Sequence, residues 1–335
     1  MRHVTVRQLQ VFVEAAETLS FARVAERLHL TPAGVSFQIK QIETQSGFAL
    51  FERVGRRVTL TDAGKALLVY ARQVLRSLHD ADQAMMALKG LSGGQVTIGL
   101  VSTAKYIAPH MLVRFRADYP AIAINLRDGN RQWVNEALVK GEIDLAIMGK
   151  PLGDGDDIVA EAFASHPSVI AAAPDHPLAG ERHVPMSVLA NEPMVVREEG
   201  SGTRSLLTRF VEHAGVTPKI ALTTSSNETI KNALMAGMGI ALISQHTIGL
   251  ELGLGMMTTL AVEGFPLMRS WIVAHRRNMP LLPVHARLRA FLLENGQTII
   301  DDLDREHRRI GALARRGAER TPPRARPKAR RRRGV

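Results

Sequence analysis

With 335 residues, 45% of them apolar and 22% charged, the chain is long enough for two or three well-filled domains and has the composition of a soluble globular protein. It has no cysteine, which excludes disulfides, thiolate metal sites and a cysteine nucleophile, and its longest apolar runs, such as SVIAAAP, are far too short to span a bilayer. The net charge of +11 sits in residues 305–335, where twelve Arg and one Lys face Glu306 and Glu319, so the remainder is close to neutral.

The first stretch carries Glu14 and Glu17 inside its apolar pattern, which makes it a helix rather than a secretion signal and points to the cytoplasm. Val6, Leu9, Val13 and Ala16 give it helical spacing over 6–17. Ser20 caps a second helix over 21–28, with Phe21, Ala25 and Leu28 inward, and His29 and Leu30 make a tight turn. Thr31 suits the N-cap of a third helix and Pro32 its first position, where a missing N–H costs nothing. Val35, Ile39 and Ile42 form its buried side and Gly47 ends it. LFERVGRRVTLT then reads as a hairpin.

One uninterrupted helix follows from about 62 to 89. Leu67, Ala71, Val74, Leu78, Ala81, Met85 and Leu88 alternate spacings of 4 and 3 along it, a period of 3.5. That is either the seam of a dimeric coiled coil, which the strict seven-residue spacing favours, or the face of a helix lying on its own domain. GLSGGQ is a linker. Beyond it, VTIGLV, IAINL and IDLAIMG alternate with helices over 104–119 and 132–140, which implies a parallel sheet with covered faces. SVIAAAP, EPMVV, IALTT and GIALIS, with helices over 203–214 and 228–236, make a second unit. SWIVAH is a returning strand, and a helix over about 283–297 closes the second lobe.

LQVFVEAAETLSFARVAERLHLT, VSFQIKQIE, LFER and VTLTDAG, with the long helix and the two α/β lobes, resemble a LysR-type transcriptional regulator over roughly residues 4–300. STAKY, DGNRQWV, DLAIMGKP, REEGSGTR and SNETIKNALMAGMGIALIS are similar to the regulators of Calvin-cycle carbon-fixation operons, the CbbR type. The resemblance implies a winged helix-turn-helix over 1–61, a dimerisation linker helix over 62–90, and a two-lobed α/β effector domain like a periplasmic binding protein over 91–300. It implies promoter DNA, RNA polymerase and a second copy of the chain as partners, in a homodimer or homotetramer. It implies no cofactor, but a small anionic effector such as a phosphorylated metabolite or NADPH. Residues 301–335 remain as a basic tail with too few apolar residues to offset its ordering entropy. That tail is either a solvated extension or a non-specific clamp on a polyanion.

A helix such as the third fits the major groove, where all four base pairs can be told apart. Ser36, Gln38, Lys40 and Gln41 lie on its open side; Gln38 can bind adenine in bidentate fashion, and Ser36 can reach a base or a phosphate. TPAGVSFQ departs from the family pattern at Pro32, Ala33 and Gly34, and Phe37 stands where a basic residue is common. Phe37 faces either a thymine methyl or its own domain. Arg53, Arg56 and Arg57 of the hairpin suit phosphates or the adjacent minor groove.

In the second half, Ser102, Thr103 and Lys105 follow a strand where a helix begins, and helix N-termini attract anions. Ser201, Gly202, Thr203 and Arg204 repeat the device in the other lobe, with Arg204 offering a fork for carboxylate or phosphate. Asn130, Arg131, Gly149 and Asn227 complete the mouth outside the strand ends. Each alone is an ordinary helix cap; together they favour an anionic ligand. No catalytic or metal residues are assigned. Glu199 stands where a nucleophile elbow needs glycine, no P-loop or HExxH occurs, and His166, His176 and His183 fit no metal spacing. The alternatives are a regulator of another pathway with a carboxylate effector, or a solute-binding protein, which leaves the helical head without a purpose.

Overall fold

The computed structural model describes residues 1, 3–54, 57–88, 93–150 and 157–320. Along the chain come α1 (Val6–Thr18), α2 (Phe21–Leu28), α3 (Pro32–Ser46), β1 (Phe51–Val54), β2 (Arg57–Leu60) and α4 (Asp62–Leu88). The first lobe begins with β3 (Gly94–Val101), α5 (Ala108–Asp118), β4 (Ile122–Gly129), α6 (Arg131–Val139) and β5 (Leu145–Met148). Then follow β6 (Ile158–Ala172), α7 (Val188–Asn191), β7 (Pro193–Arg197), α8 (Gly202–His213), β8 (Lys219–Thr224), α9 (Asn227–Met235), β9 (Ala241–Ser244), α10 (Gly249–Leu254), β10 (Thr258–Leu260), β11 (Leu267–Arg276) and α11 (Pro283–Arg320).

A capping box opens α1: Gln8 N–H donates to the Thr5 hydroxyl at 3.2 Å, and Thr5 N–H donates to Gln8 Oε1 at 2.9 Å. Its buried face is Leu9, Val11, Phe12 and Ala15, while Val6 of the expected face is exposed. Val24, Val35, Ile39, Ile42 and Leu50 complete the head's core. Phe51 of β1 meets the rings of Phe12 and Phe21 edge-on, at centroid distances of 5.7 and 5.5 Å, which pins the hairpin to the helices. A Cβ on Gly64 would stand 2.1 Å from the Leu50 carbonyl oxygen, so the close seating of α4 on the hairpin's entry requires glycine there.

The expected seam on α4 divides in two. Leu67 and Ala71 are buried in the head's core, and Arg72 ties the helix to Glu17 of α1. Val74, Leu78, Ala81 and Met85 are exposed and continue from exposed Tyr70 at spacings of 4, 4, 3 and 4. The side chain of Leu88 lies outside the described residues. The first two positions of the expected seam thus face the head of the same chain.

The lobes share one mixed sheet of order β10-β6-β11-β5-β3-β4, with β9 also on β6, beside a parallel β7-β8 pair. β3 pairs in parallel with β4 and β5 as expected, whereas β6 and β11 run antiparallel through both lobes. The sequence reading missed the first half of β6 because IVAEAFASHP is neither alternating nor uniformly apolar. The first lobe's core is filled from β3, β5, α5, α6 and the start of α11; the second packs around Ile170, Val196, Ile240 and Leu242 on one side and Val195, Ile230 and Ile243 on the other.

The last helix does not stop near 297. It continues through 301–320, where the basic tail was expected, because Ile299, Ile300 and Leu303 pack into the first lobe and Gly311 lies against Gly253 of α10. Residues 321–335 lie outside the described residues. Among the described residues no helix is long and apolar enough to cross a membrane, and no group of three or more His, Asp or Glu is placed to hold a metal ion.

Candidate functional site

Two polar surfaces stand out, one on α3 and one between the lobes. The chain turns sharply into α3 at His29, whose φ is 54°, and the Thr31 hydroxyl accepts from Gly34 N–H at 3.0 Å with Pro32 at the first helical position. Val35, Ile39 and Ile42 face the core, so Ser36, Phe37 and Lys40 are turned out and Gln38 is half-buried. Phe37 is 59% exposed and does not lie against the domain, the second of its two expected placements. Gln41 is exposed, but its Oε1 accepts from Gln8 Nε2 at 2.9 Å, which ties α3 to the start of α1. Gln8 was read only as part of the helix; a polar residue on its inner face was the available signal. Arg56 lies outside the described residues, as do the side chains of Arg53 and Arg57; the backbone pairs Arg53 with Val58 and Val54 with Arg57.

Between the lobes lies a cavity of about 430 Å³. The first lobe lines it with Ser102, Thr103, Asn130, Arg131, Gly149 and Lys150, and the second with Arg197, Ser201, Gly202, Thr203 and Arg209. His166 and Arg269 enter from β6 and β11, where they are register partners. The N-terminus of α8 opens on it, and the buried Ser201 hydroxyl makes no capping bond there. Of the expected residues, Lys105 and Asn227 line an adjoining cavity with Tyr106 and Glu228 instead. Lys105 is paired with Asp128, and Asn227 accepts from Arg197 at 2.8 Å. Arg204 donates to the Arg197 carbonyl at 3.3 Å and lines neither cavity, so its fork is spent inside the lobe. Asn130 caps α6 by accepting from Trp133 N–H at 2.9 Å while still lining the cavity.

The electrostatics of the cavity are one-sided. Arg197 is paired with Glu198 at 2.8 Å, but Arg131, Lys150, Arg209 and Arg269 have no acidic partner within ion-pair distance among the described residues. Burial, then repulsion from Arg131 and Arg209, lowers Arg269 to about 10; burial and Arg209 lower Arg131. Arg269 donates to Ser168 at 3.0 Å and Arg131 to Ser205 at 2.9 Å, yet the Nε of each is buried without a partner. His166 stacks on Trp271 at 3.7 Å, and burial, Arg269 and His246 hold it neutral, well below its ordinary range. Such a cavity suits an anion with several oxygens, which would relieve the repulsion. Arg197, Arg209, Lys150, His166 and Arg269 were missed. Arg197 ends a strand and could have been read from that position; His166 and Arg269 come together only through the pairing of β6 and β11.

Cross-lobe hydrogen bonds hold the lobes in this arrangement. Ser102 accepts from Arg197 at 3.3 Å, Arg131 donates to Ser205, and Tyr106 donates to Glu228 at 2.6 Å. Burial and that bond raise the Tyr106 hydroxyl above its ordinary range.

Residues 6–65 match the bacterial regulatory helix-turn-helix proteins of the lysR family, and residues 89–297 match the LysR substrate binding domain. The chain is 44% identical to the HTH-type transcriptional regulator CfxR of Cupriavidus necator over 295 residues, 88% of this chain and 93% of that protein. It is 40% identical to the RuBisCO operon transcriptional regulator of Allochromatium vinosum over 291 residues, 87% of this chain and 96% of that one. The regulatory domain of Synechocystis PCC6803 CcmR, solved in complex with 2-PG, superposes with a TM-score of 0.58 at 33% identity, over 60% of this chain and 96% of that one.

Proposed function

The chain belongs to the LysR family of bacterial transcriptional regulators, and from that premise we propose that it controls carbon-fixation genes in response to a small phosphorylated acid held between its lobes. It is a DNA-binding regulator and not an enzyme. The carbon-fixation reading rests on its likeness to the RuBisCO operon regulator. The observation that carries the effector reading is the cavity's set of cations without acidic partners among the described residues, beside the N-terminus of α8. Its volume of about 430 Å³ is at the small end for ligand sites. NADPH would have to extend into the adjoining cavity as well. The likeness to the domain solved with 2-PG supports the same choice of ligand class.

On this reading Ser36, Gln38 and Lys40 meet base edges and phosphates in the major groove, Phe37 reaches a thymine methyl, and the hairpin arginines Arg53, Arg56 and Arg57 hold the backbone. The exposed stripe from Tyr70 to Met85 forms the dimer contact. The effector acts by preferring one arrangement of the lobes, whose bridges are Arg197–Ser102, Arg131–Ser205 and Tyr106–Glu228. Calorimetric titration of the whole protein with 2-PG, NADPH and acetate, alongside DNA bending, tests it. Binding of 2-PG with a change in bend angle is expected. Silence toward all three, or equal binding of acetate, overturns the phosphate reading.

A further inference from the structure

Helix α4 presents three faces. Leu67 and Ala71 enter the head's core, and the stripe from Tyr70 to Met85 is exposed. The third face holds half-buried Arg72, Arg76 and Asp80, four residues apart and on nearly the opposite side of the helix from that stripe. Both of its arginines reach the first lobe. We propose that Arg72 and Arg76 form a latch that sets the angle of the DNA-reading head against the effector domain, and through which filling of the cavity reaches the head. The latch is tested without any effector, whereas its link to the cavity rests on the effector reading of the proposed function.

Arg72 joins three parts of the chain. Its Nη2 donates to Glu17 of α1 at 2.9 Å and its Nη1 to Glu142 of the first lobe at 3.3 Å, so one guanidinium bridges head, linker helix and lobe. Arg76 is set deeper. It donates to the Gly141 carbonyl at 2.8 Å and to Asp80 at 3.2 Å, and it pairs with Asp144, whose side chain is 6% exposed. Asp144 is in turn fixed to β3: its carboxylate accepts from Thr97 N–H at 2.7 Å, and its own N–H donates to the Thr97 carbonyl at 2.8 Å. A chance surface pair leaves its arginine in water, whereas Arg76 is 19% exposed and bonded to a backbone carbonyl. Glu142 and Asp144 stand just past the end of α6 that lies away from the cavity. At the other end Asn130 and Arg131 line the cavity, and Gln132 N–H donates across to the Gly200 carbonyl of the second lobe at 3.3 Å. The helix closes on Gly141 at φ 71°, with Glu142 N–H donating to the Ala137 carbonyl at 2.8 Å and Gly141 N–H to that of Leu138 at 3.0 Å. Those two bonds make the following loop continuous with the helix, a single lever about 14 Å long. A shift of its start toward a bound anion therefore displaces the partners of Arg72 and Arg76.

The test compares the full chain with Arg72→Met and with the double variant Arg76→Met/Asp144→Asn, whose second change spares the fold an unpaired buried carboxylate. The bend angle of an operator duplex is measured first without ligand, by energy transfer between its ends. Both variants are expected to change that angle. An unchanged angle in either overturns the latch, even where the thermal midpoint falls, because the ion pairs then hold the fold and not the angle. Operator affinity is then measured with and without 2-PG. The parent's affinity should change by about 5- to 150-fold, and the factor should fall toward one in both variants while the DNA-free protein binds 2-PG as the parent does. A factor that either variant keeps overturns the link from cavity to head. A parent that binds no 2-PG ends the effector reading and leaves the latch to stand or fall by the bend angle.

Discussion

On the proposed function, the open side of α3 and the cavity between the lobes both meet phosphate-bearing partners, but they are built in opposite ways. On α3, Ser36, Phe37 and Lys40 stand in water above an apolar floor of Val35, Ile39 and Ile42, and cost the free protein little. In the cavity, Arg131 and Arg269 are already partly or largely withdrawn from water and crowded by like charge. The difference follows from the partners. A duplex supplies many phosphates, so hydrated groups on a rigid helix suffice. A small acid supplies few oxygens, so each contact must be strong and set in place before the ligand arrives, and the fold carries the desolvation cost.

Four experiments press on this contrast, the largest effect first. Leu67→Ala should cost the head about 2–5 kcal/mol in chemical denaturation, since Leu67 is a core residue. Leu78→Lys, on the exposed part of the same helix, should weaken self-association in sedimentation without lowering the head's stability. If the two variants exchange phenotypes, the division of α4 is wrong. Arg269→Met should weaken 2-PG binding by about 10- to 150-fold, as loss of a charge-assisted hydrogen bond implies. The same change should raise the thermal midpoint of the ligand-free protein, because a buried cation without an acidic partner is removed. A lower midpoint would mean that the cavity is not strained by its charges. Gln38→Ala should reduce operator affinity by about 5- to 150-fold at one base position, with effector affinity unchanged.

The smallest effect is on pH. Burial and Arg76 lower His285 to about 4 against the hydrogen bond that it donates to the Gln95 carbonyl, and burial also lowers His166 and His246. The unfolded chain takes up these protons near pH 6.5 while the folded one does not, so their stabilising contribution is present above that pH and is lost as pH falls toward 4. Between pH 7.5 and 5.5 His285 alone should remove about 1 kcal/mol from the unfolding free energy, and His166 and His246 act in the same direction. A flat profile would place these rings in contact with solvent.

The sequence alone determined the helices of the head and most of the order of elements. Thr31, Pro32 and the spacing of Val35, Ile39 and Ile42 specify α3 and its open face, because caps and helical periodicity act over a few residues. The cavity was half legible. Ser102, Asn130 and Ser201 announce themselves at strand ends and helix starts, whereas Lys105, Arg204 and Asn227 carry the same local signal and find other partners. Only the tertiary structure brought His166 and Arg269 together, gave Leu67 and Ala71 to the head rather than to a seam, and carried α11 onto the second lobe. Each of these depends on which distant surface meets a side chain, and spacing along the chain says which face a residue shares but not what lies opposite it.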